Sequence, residues 1–217
     1  MHALEPDFFD TDAEQLAKAL LGKRICHKVN NLWLETQIIE TEAYYKKEKG
    51  SHASLGYTEK RRALFMPPGT IYMYYARGKD SFNISSRGEG NAVLIKSALA
   101  VGTPRQIGLM QQLNPMPDGR PRPIARLCSG QTLLCTALDL KVPEWDGKAF
   151  DPRRLYIKHT GYEPERIIQT TRLGIPHGRD EHLPLRFIDY DFAQSCTQNP
   201  LTRRSWRKGI EYQIIKS

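Results

Sequence analysis

The 217-residue sequence predicts an α+β protein in one domain, a mostly antiparallel sheet with helices packed on it. Three observations point there. The length suits one well-buried core. Several strand-like runs are closed by Gly- and Pro-rich turns. A few short helical stripes stand before, between and after those runs.

In chain order, residues 10–22 place Ala13, Leu16, Ala17, Leu20 and Leu21 on one helical stripe, with acids early and Gly22 as the stop. Strand character follows over 32–44, 70–75, 81–86 and 92–97, the last two joined by the turn Arg87-Gly88-Glu89-Gly90. Thr103-Pro104 opens a second helix running to Leu113, and the Pro/Gly-rich stretch 114–123 is a loop. Ser129 is a candidate cap for a third helix carrying Leu133, Leu134, Ala137 and Leu138. Residues 155–158, 166–170 and 183–188 return to strand. The basic tail (Arg203, Arg204, Trp206, Arg207, Lys208) is expected at the surface, ahead of a phosphate-binding role.

Composition removes several classes. With 40% hydrophobic and 26% charged residues and no apolar run near ~20 residues, a membrane protein is not expected. The opening residues have neither the basic nor the apolar region of a secretory signal. Cys26, Cys128, Cys135 and Cys196 form no C-x-x-C pair and are expected to be reduced, structural thiols. The six histidines lack zinc spacings, and neither a phosphate-binding P-loop nor a G-x-S-x-G elbow is present, so neither a metal nor a cofactor is expected.

The net charge is +8, and residues 60–126 hold eleven bases against three acids, which equals that excess. Such a segment is the footprint of a phosphate-binding surface, although a merely solvated basic face fits the charge equally well. Glu40 and Glu42 are the unusual feature. Alternation puts Leu34, Thr36, Ile38, Glu40, Glu42 and Tyr44 on one strand face, acids beside aromatics, and glutamate is depleted in strands and costly to bury. Six tyrosines (44, 45, 57, 72, 74, 75) lie close by and suit base stacking. The plain alternatives are surface acids paired with Lys46 or Lys47, and tyrosines serving only as strand formers. A carbohydrate glycosidase is disfavoured, since two acids so close in sequence do not flank one bond.

The ordered blocks Glu40-Thr41-Glu42-Ala43-Tyr44, Ser51-His52-Ala53, 65–72 (FMPPGTIY), 82–86 (FNISS), 127–130 (LCSG) and 184–187 (PLRF) decide among these readings. Together, over about residues 20–187, the chain resembles the alkyladenine (3-methyladenine) DNA glycosylase family. The resemblance implies a curved sheet and a monofunctional enzyme that binds double-stranded DNA, flips out a damaged purine and hydrolyses its bond to the sugar. It places the general base on Glu42 and the base pocket on Tyr44, His52, Tyr74 and Asn83, with Glu40 a structural neighbour. It also implies hydrolysis without strand cleavage, because the matched motifs hold no lysine where an amine nucleophile is expected. Arg77 stands where the family commonly has an aromatic wedge and is expected to plug the stack with its planar guanidinium, ahead of holding a phosphate, and Lys96 stands where arginine is usual. Lys60, Arg62, Arg77 and Lys96 are the candidate DNA contacts. The other expectations are a monomer in the bacterial cytoplasm, associated with the nucleoid, or in the nucleus of a eukaryote. The altered wedge leaves a catalytically inactive damaged-DNA-binding protein as the alternative.

Overall fold

The computed structural model describes residues 2–203 and 205–216. Its frame is a nine-stranded sheet. The strands are β1 (Arg24–Val29), β2 (Leu32–Tyr44), β3 (Ile71–Ala76), β4 (Lys79–Ser85), β5 (Ala92–Val101), β6 (Leu155–Lys158), β7 (Arg166–Thr170), β8 (Arg186–Asp189) and β9 (Tyr212–Lys216). All eight pairings are antiparallel. The main path runs β3-β4-β5-β2-β8-β7-β9, and β1 branches from β2 to hold β6.

Among the described residues three longer helices cover the sheet, α1 (Ala13–Leu20), α2 (Pro104–Leu113) and α3 (Gln131–Leu138), followed by the single-turn α4 (Val142–Trp145). Asp12 caps α1 by accepting from the amides of Glu14 and Gln15, and α1 buries the apolar stripe read from the sequence. A reciprocal capping box between Thr103 and Gln106 starts α2, with Pro104 in its first turn. The cap proposed for α3 is corrected: Gly130, at φ 117°, stands there, and Ser129 Oγ donates instead to the Cys196 carbonyl at 3.1 Å. Only glycine adopts that backbone readily.

The long strand β2 also corrects the expected facing. Its register with β5 slips twice, leaving Ile39 and Lys96 as extra residues on the two strands. Each slip reverses the alternation. Leu34 and Ile38 face the main core, but beyond the bulge Ala43 faces it, Thr41 donates to the Ala17 carbonyl of α1 at 2.8 Å, and Glu40 and Glu42 turn to the opposite side. On β5 the same happens: Val93 and Ile95 are core residues before the slip, and Ala98 and Ala100 after it. Two bulges thus make room for acids on a strand whose sequence reads as simple alternation.

Strands β1 and β9 are additions to the sequence reading. The four cysteines are buried and free, and burial pushes the Cys26 and Cys128 thiols up, to about 11 and about 12. In the tail, Arg203, Arg207 and Lys208 are exposed and Trp206 is half-buried, while Arg204 lies outside the described residues. No helix among the described residues is long and apolar enough to cross a membrane.

Candidate active site

Register builds the site. Tyr72 of β3 pairs with Asn83 of β4, Asn83 with Leu94 of β5, Leu94 with Glu42 of β2, and Glu42 with Arg186 of β8. Directly paired residues share a face, so these five form one transverse row. Above it lies an open cavity of about 1010 Å³, in contact with Tyr72, Asn83 and Leu94 of the row and with Tyr44, His52, Tyr74, Arg77 and Lys96. The size exceeds that of a purine and suits a base with its sugar and phosphate.

Glu42 lies fully buried just under the cavity floor. Its Oε2 accepts the Tyr44 hydroxyl at 2.7 Å, and its Oε1 stands 3.3 Å from the Lys96 ammonium and 3.4 Å from the Leu173 amide. Burial, reinforced by the Glu42 charge, pushes the Tyr44 phenol well up, so the hydroxyl remains a donor. Lys96 also donates to Gln131 Oε1 at 3.2 Å, at the start of α3. The lysine expected among the outer DNA contacts is therefore set in the floor beside Glu42, its side chain only 12% exposed.

Glu40, two residues earlier and also fully buried, has every lone pair engaged. Arg186 binds its Oε1 through Nε at 2.7 Å and Nη2 at 2.6 Å, and Thr197 Oγ1 donates to the same oxygen at 2.6 Å. Ser97 Oγ and the Thr197 amide fill Oε2 at 2.5 and 3.0 Å. Burial would raise its carboxyl, but the guanidinium and the hydroxyl donors outweigh burial and hold it below the usual value. The reading of both acids as surface residues paired with Lys46 or Lys47 is overturned: Lys46 pairs with Glu89, and Lys47 lies over the Tyr45 ring.

Three of the six clustered tyrosines serve the cavity. Tyr72 and Tyr74 stack at 5.6 Å, and the His52 ring meets Tyr74 edge-on at 4.4 Å. The Tyr72 hydroxyl lies 2.9 Å from His52 Nδ1. Desolvation, with the nearby Arg61 and Arg179 charges, lowers the His52 pKa and favours a neutral ring. Tyr44 is braced from behind by Arg172, whose guanidinium carbon is 4.5 Å from the ring centroid and whose Nη1 binds Glu48 Oε2 at 2.5 Å. Asn83 donates to the Tyr72 carbonyl at 3.1 Å. By contrast Tyr45 bonds Asp12, and Tyr57 and Tyr75 stay exposed away from the cavity lining.

The basic segment is not one patch, which corrects the reading from charge. Arg87 pairs with Asp10, Arg120 with Asp118, and Arg122 is spent on the carbonyls of Asn114 and Pro115. Arg77 and Lys79 remain exposed at the cavity mouth; Lys60 and Arg62 are exposed outside its lining. Arg77, at φ 51°, and Gly78, at φ 77°, form the two-residue turn joining β3 to β4. Among the described residues no cluster of three or more His, Cys, Asp or Glu is arranged to hold a metal ion.

Sequence reasoning did not assign Arg172, Ser97, Gln131, Leu173 or Thr197. Arg186 appeared only inside a matched block. None carries a local signal, because each reaches the site through register or a loop that closes from far along the chain.

The arrangement provides a carboxylate under a ring-lined cleft, with a cation beside it and free cations at the mouth. The chain is similar to known proteins over most of its length. The model of the family described as "Methylpurine-DNA glycosylase (MPG)" matches residues 7–192. The "Putative 3-methyladenine DNA glycosylase" of Pseudomonas syringae pv. tomato is 61% identical over 217 residues, 98% of this chain and 97% of that protein. The Pseudomonas fluorescens protein of the same name is 60% identical, covering 96% and 91%. The "DNA-3-methyladenine glycosylase" of Mus musculus is 34% identical over 85% of this chain and 58% of its own length. A family model spanning most of the chain and relatives matched nearly end to end make this chain a member of the methylpurine-DNA glycosylase family, whose enzymes hydrolyse N-glycosyl bonds.

Proposed function

We propose that the protein is a monofunctional DNA glycosylase of base excision repair, acting as a monomer at the nucleoid of a bacterial cytoplasm. It extrudes alkylated or deaminated purines from double-stranded DNA and releases them by hydrolysis. The observation carrying this is the incompletely engaged Glu42 carboxylate beneath a cleft walled by Tyr44, Tyr74 and His52.

Extrusion is required because stacking hides the bond to the sugar, and damaged, poorly paired bases leave the stack at lower cost. A purine entering the cleft meets the face of Tyr44 and the rings of His52 and Tyr74, and alkylation at N3 or N7 makes it a cation that favours tyrosine faces. Asn83, anchored to the Tyr72 carbonyl, narrows the cleft floor and selects by shape. As the bond to the base lengthens, positive charge grows on the sugar. The Glu42 carboxylate stabilises that charge and takes a proton from the attacking water. Lys96 supplies the counter-charge for Glu42 in the resting site. The exposed cations Arg77, Lys79, Lys60 and Arg62 meet the phosphates.

Abasic-site formation tests this on duplexes carrying hypoxanthine or 7-methylguanine. Wild type is expected to release the base and leave the strand intact until alkali is added. Glu42→Gln is expected to lose about 10²–10⁴-fold in single-turnover rate. An adduct trapped by borohydride, or full activity in Glu42→Gln, overturns the hydrolytic scheme.

A further inference from the structure

Among the described residues six large apolar side chains are exposed, Leu55, Tyr57, Met66, Tyr75, Ile124 and Ile210, and of these only Leu55 lines the cavity. Leu55 is 60% exposed at the end of the short 3-10 turn His52–Leu55, the same turn that brings His52 to the base pocket.

This turn is held firmly. Ser51 Oγ accepts from the Ala53 amide, Ser54 Oγ donates to the Ser51 carbonyl, and the Gly56 amide closes on the Ala53 carbonyl. Arg61 clasps its far end, with Nε on the Gly56 carbonyl at 3.0 Å and Nη2 on the Leu55 carbonyl at 3.3 Å. Ala53 is buried beneath, against Leu64, Tyr72 and Ala92. A rigid turn rooted in the core thus presents one apolar side chain to solvent at the mouth of a cleft. An exposed leucine forgoes the gain of burial, so a fixed, unpacked one at a binding cleft calls for a partner in the bound state. Proteins that unstack duplex DNA insert leucine and similar apolar wedges between base steps from the minor groove.

We infer that Leu55 is a positioning residue that enters the base stack beside the extruded nucleotide and keeps it from returning. The inference rests on the glycosylase reading. It gives Leu55 the apolar contact with the bases, which leaves the Arg77 cation at the neighbouring hairpin available to the phosphates.

The test compares wild type, Leu55→Ala and Leu55→Met on a duplex with 2-aminopurine at the target position, whose fluorescence rises on unstacking, and on a hypoxanthine duplex under single turnover. Leu55→Ala is expected to lower both the fluorescence gain and the release rate about tenfold, a ~1.4 kcal/mol change, with its thermal midpoint unchanged. Leu55→Met is expected to restore most of both. A fluorescence gain in Leu55→Ala within twofold of wild type overturns the inference, as does a loss accompanied by a lowered midpoint. If wild type releases no base, the glycosylase reading fails, and the fluorescence comparison still decides the role of Leu55.

Discussion

Glu40 and Glu42 share a strand, a face and full burial, yet their surroundings assign them opposite duties. Glu40 is saturated by Arg186, Ser97 and Thr197, so it has nothing left for a substrate and acts as a clamp between β2, β5, β8 and the segment after β8. Glu42 keeps one short bond, to Tyr44, while its other oxygen has only longer contacts, to Lys96 and Leu173. What separates a structural from a chemical carboxylate here is the count of engaged lone pairs, since burial is the same.

The most severe way to break the comparison is to neutralise each acid in turn. Glu40→Gln leaves the Arg186 guanidinium buried without its counter-charge and is expected to cost about 3–5 kcal/mol in urea unfolding. Glu42→Gln is expected to cost only about 1 kcal/mol, losing a hydrogen bond beside a partly solvated lysine. Equal stability losses would mean that the two sites do not differ as described.

Lys96 sharpens the contrast from the other side. Lys96→Met is expected to slow base release about 10²-fold by removing the cation that orders Glu42, and Lys96→Arg to recover most of it. The single-turnover rates of the two variants measure this. An unaffected Lys96→Met would place Lys96 among the simple packing residues.

Acid separates the two regions more gently. His27 on β1 is buried, with Nδ1 2.6 Å from the Leu138 carbonyl, and burial lowers its pKa from 6.5. Below pH 6.5 the unfolded chain therefore binds a proton that the folded chain refuses, so stability is complete above that pH and falls as pH drops through the folded value. The Glu40 contribution persists longer, because its folded pKa lies below 4.5. Urea midpoints against pH are expected to decline in those two stages, and His27→Gln to shrink the first, to which His52 also contributes.

The smallest effect concerns the hairpin tip. Arg77 holds a left-handed backbone, φ 51°, that asparagine tolerates better. Arg77→Asn is expected to gain up to about 1 kcal/mol in stability while weakening DNA binding and its salt dependence. A gain in stability with DNA affinity unchanged would remove Arg77 from the interface.

Much of this was legible in the sequence because it is local. The β2 span, the start of α2 and the stripe of α1 follow from alternation, Thr103-Pro104 and apolar spacing. The matched blocks also brought Glu42, Tyr44, His52, Tyr74 and Asn83 to one cleft or its floor. The paired bulges at Ile39 and Lys96 were not legible, since a slip in register depends on both strands. For the same reason Arg172, which braces the Tyr44 ring, has no sequence mark of its own; its hydrogen-bond partners Glu48 and Ala43 lie 124 and 129 residues away. Charge misled because counting along the chain ignores which bases already have partners, as Arg87 and Arg120 do.

The most direct test is binding to duplexes that carry, at the lesion position, either a cationic pyrrolidine abasic analogue or its neutral tetrahydrofuran counterpart. The pyrrolidine imitates the charge that grows on the sugar, so wild type is expected to favour it about 10²-fold, and Glu42→Gln to lose that preference while still binding the neutral analogue. A preference that survives Glu42→Gln and depends on another residue would contradict the role given to this carboxylate.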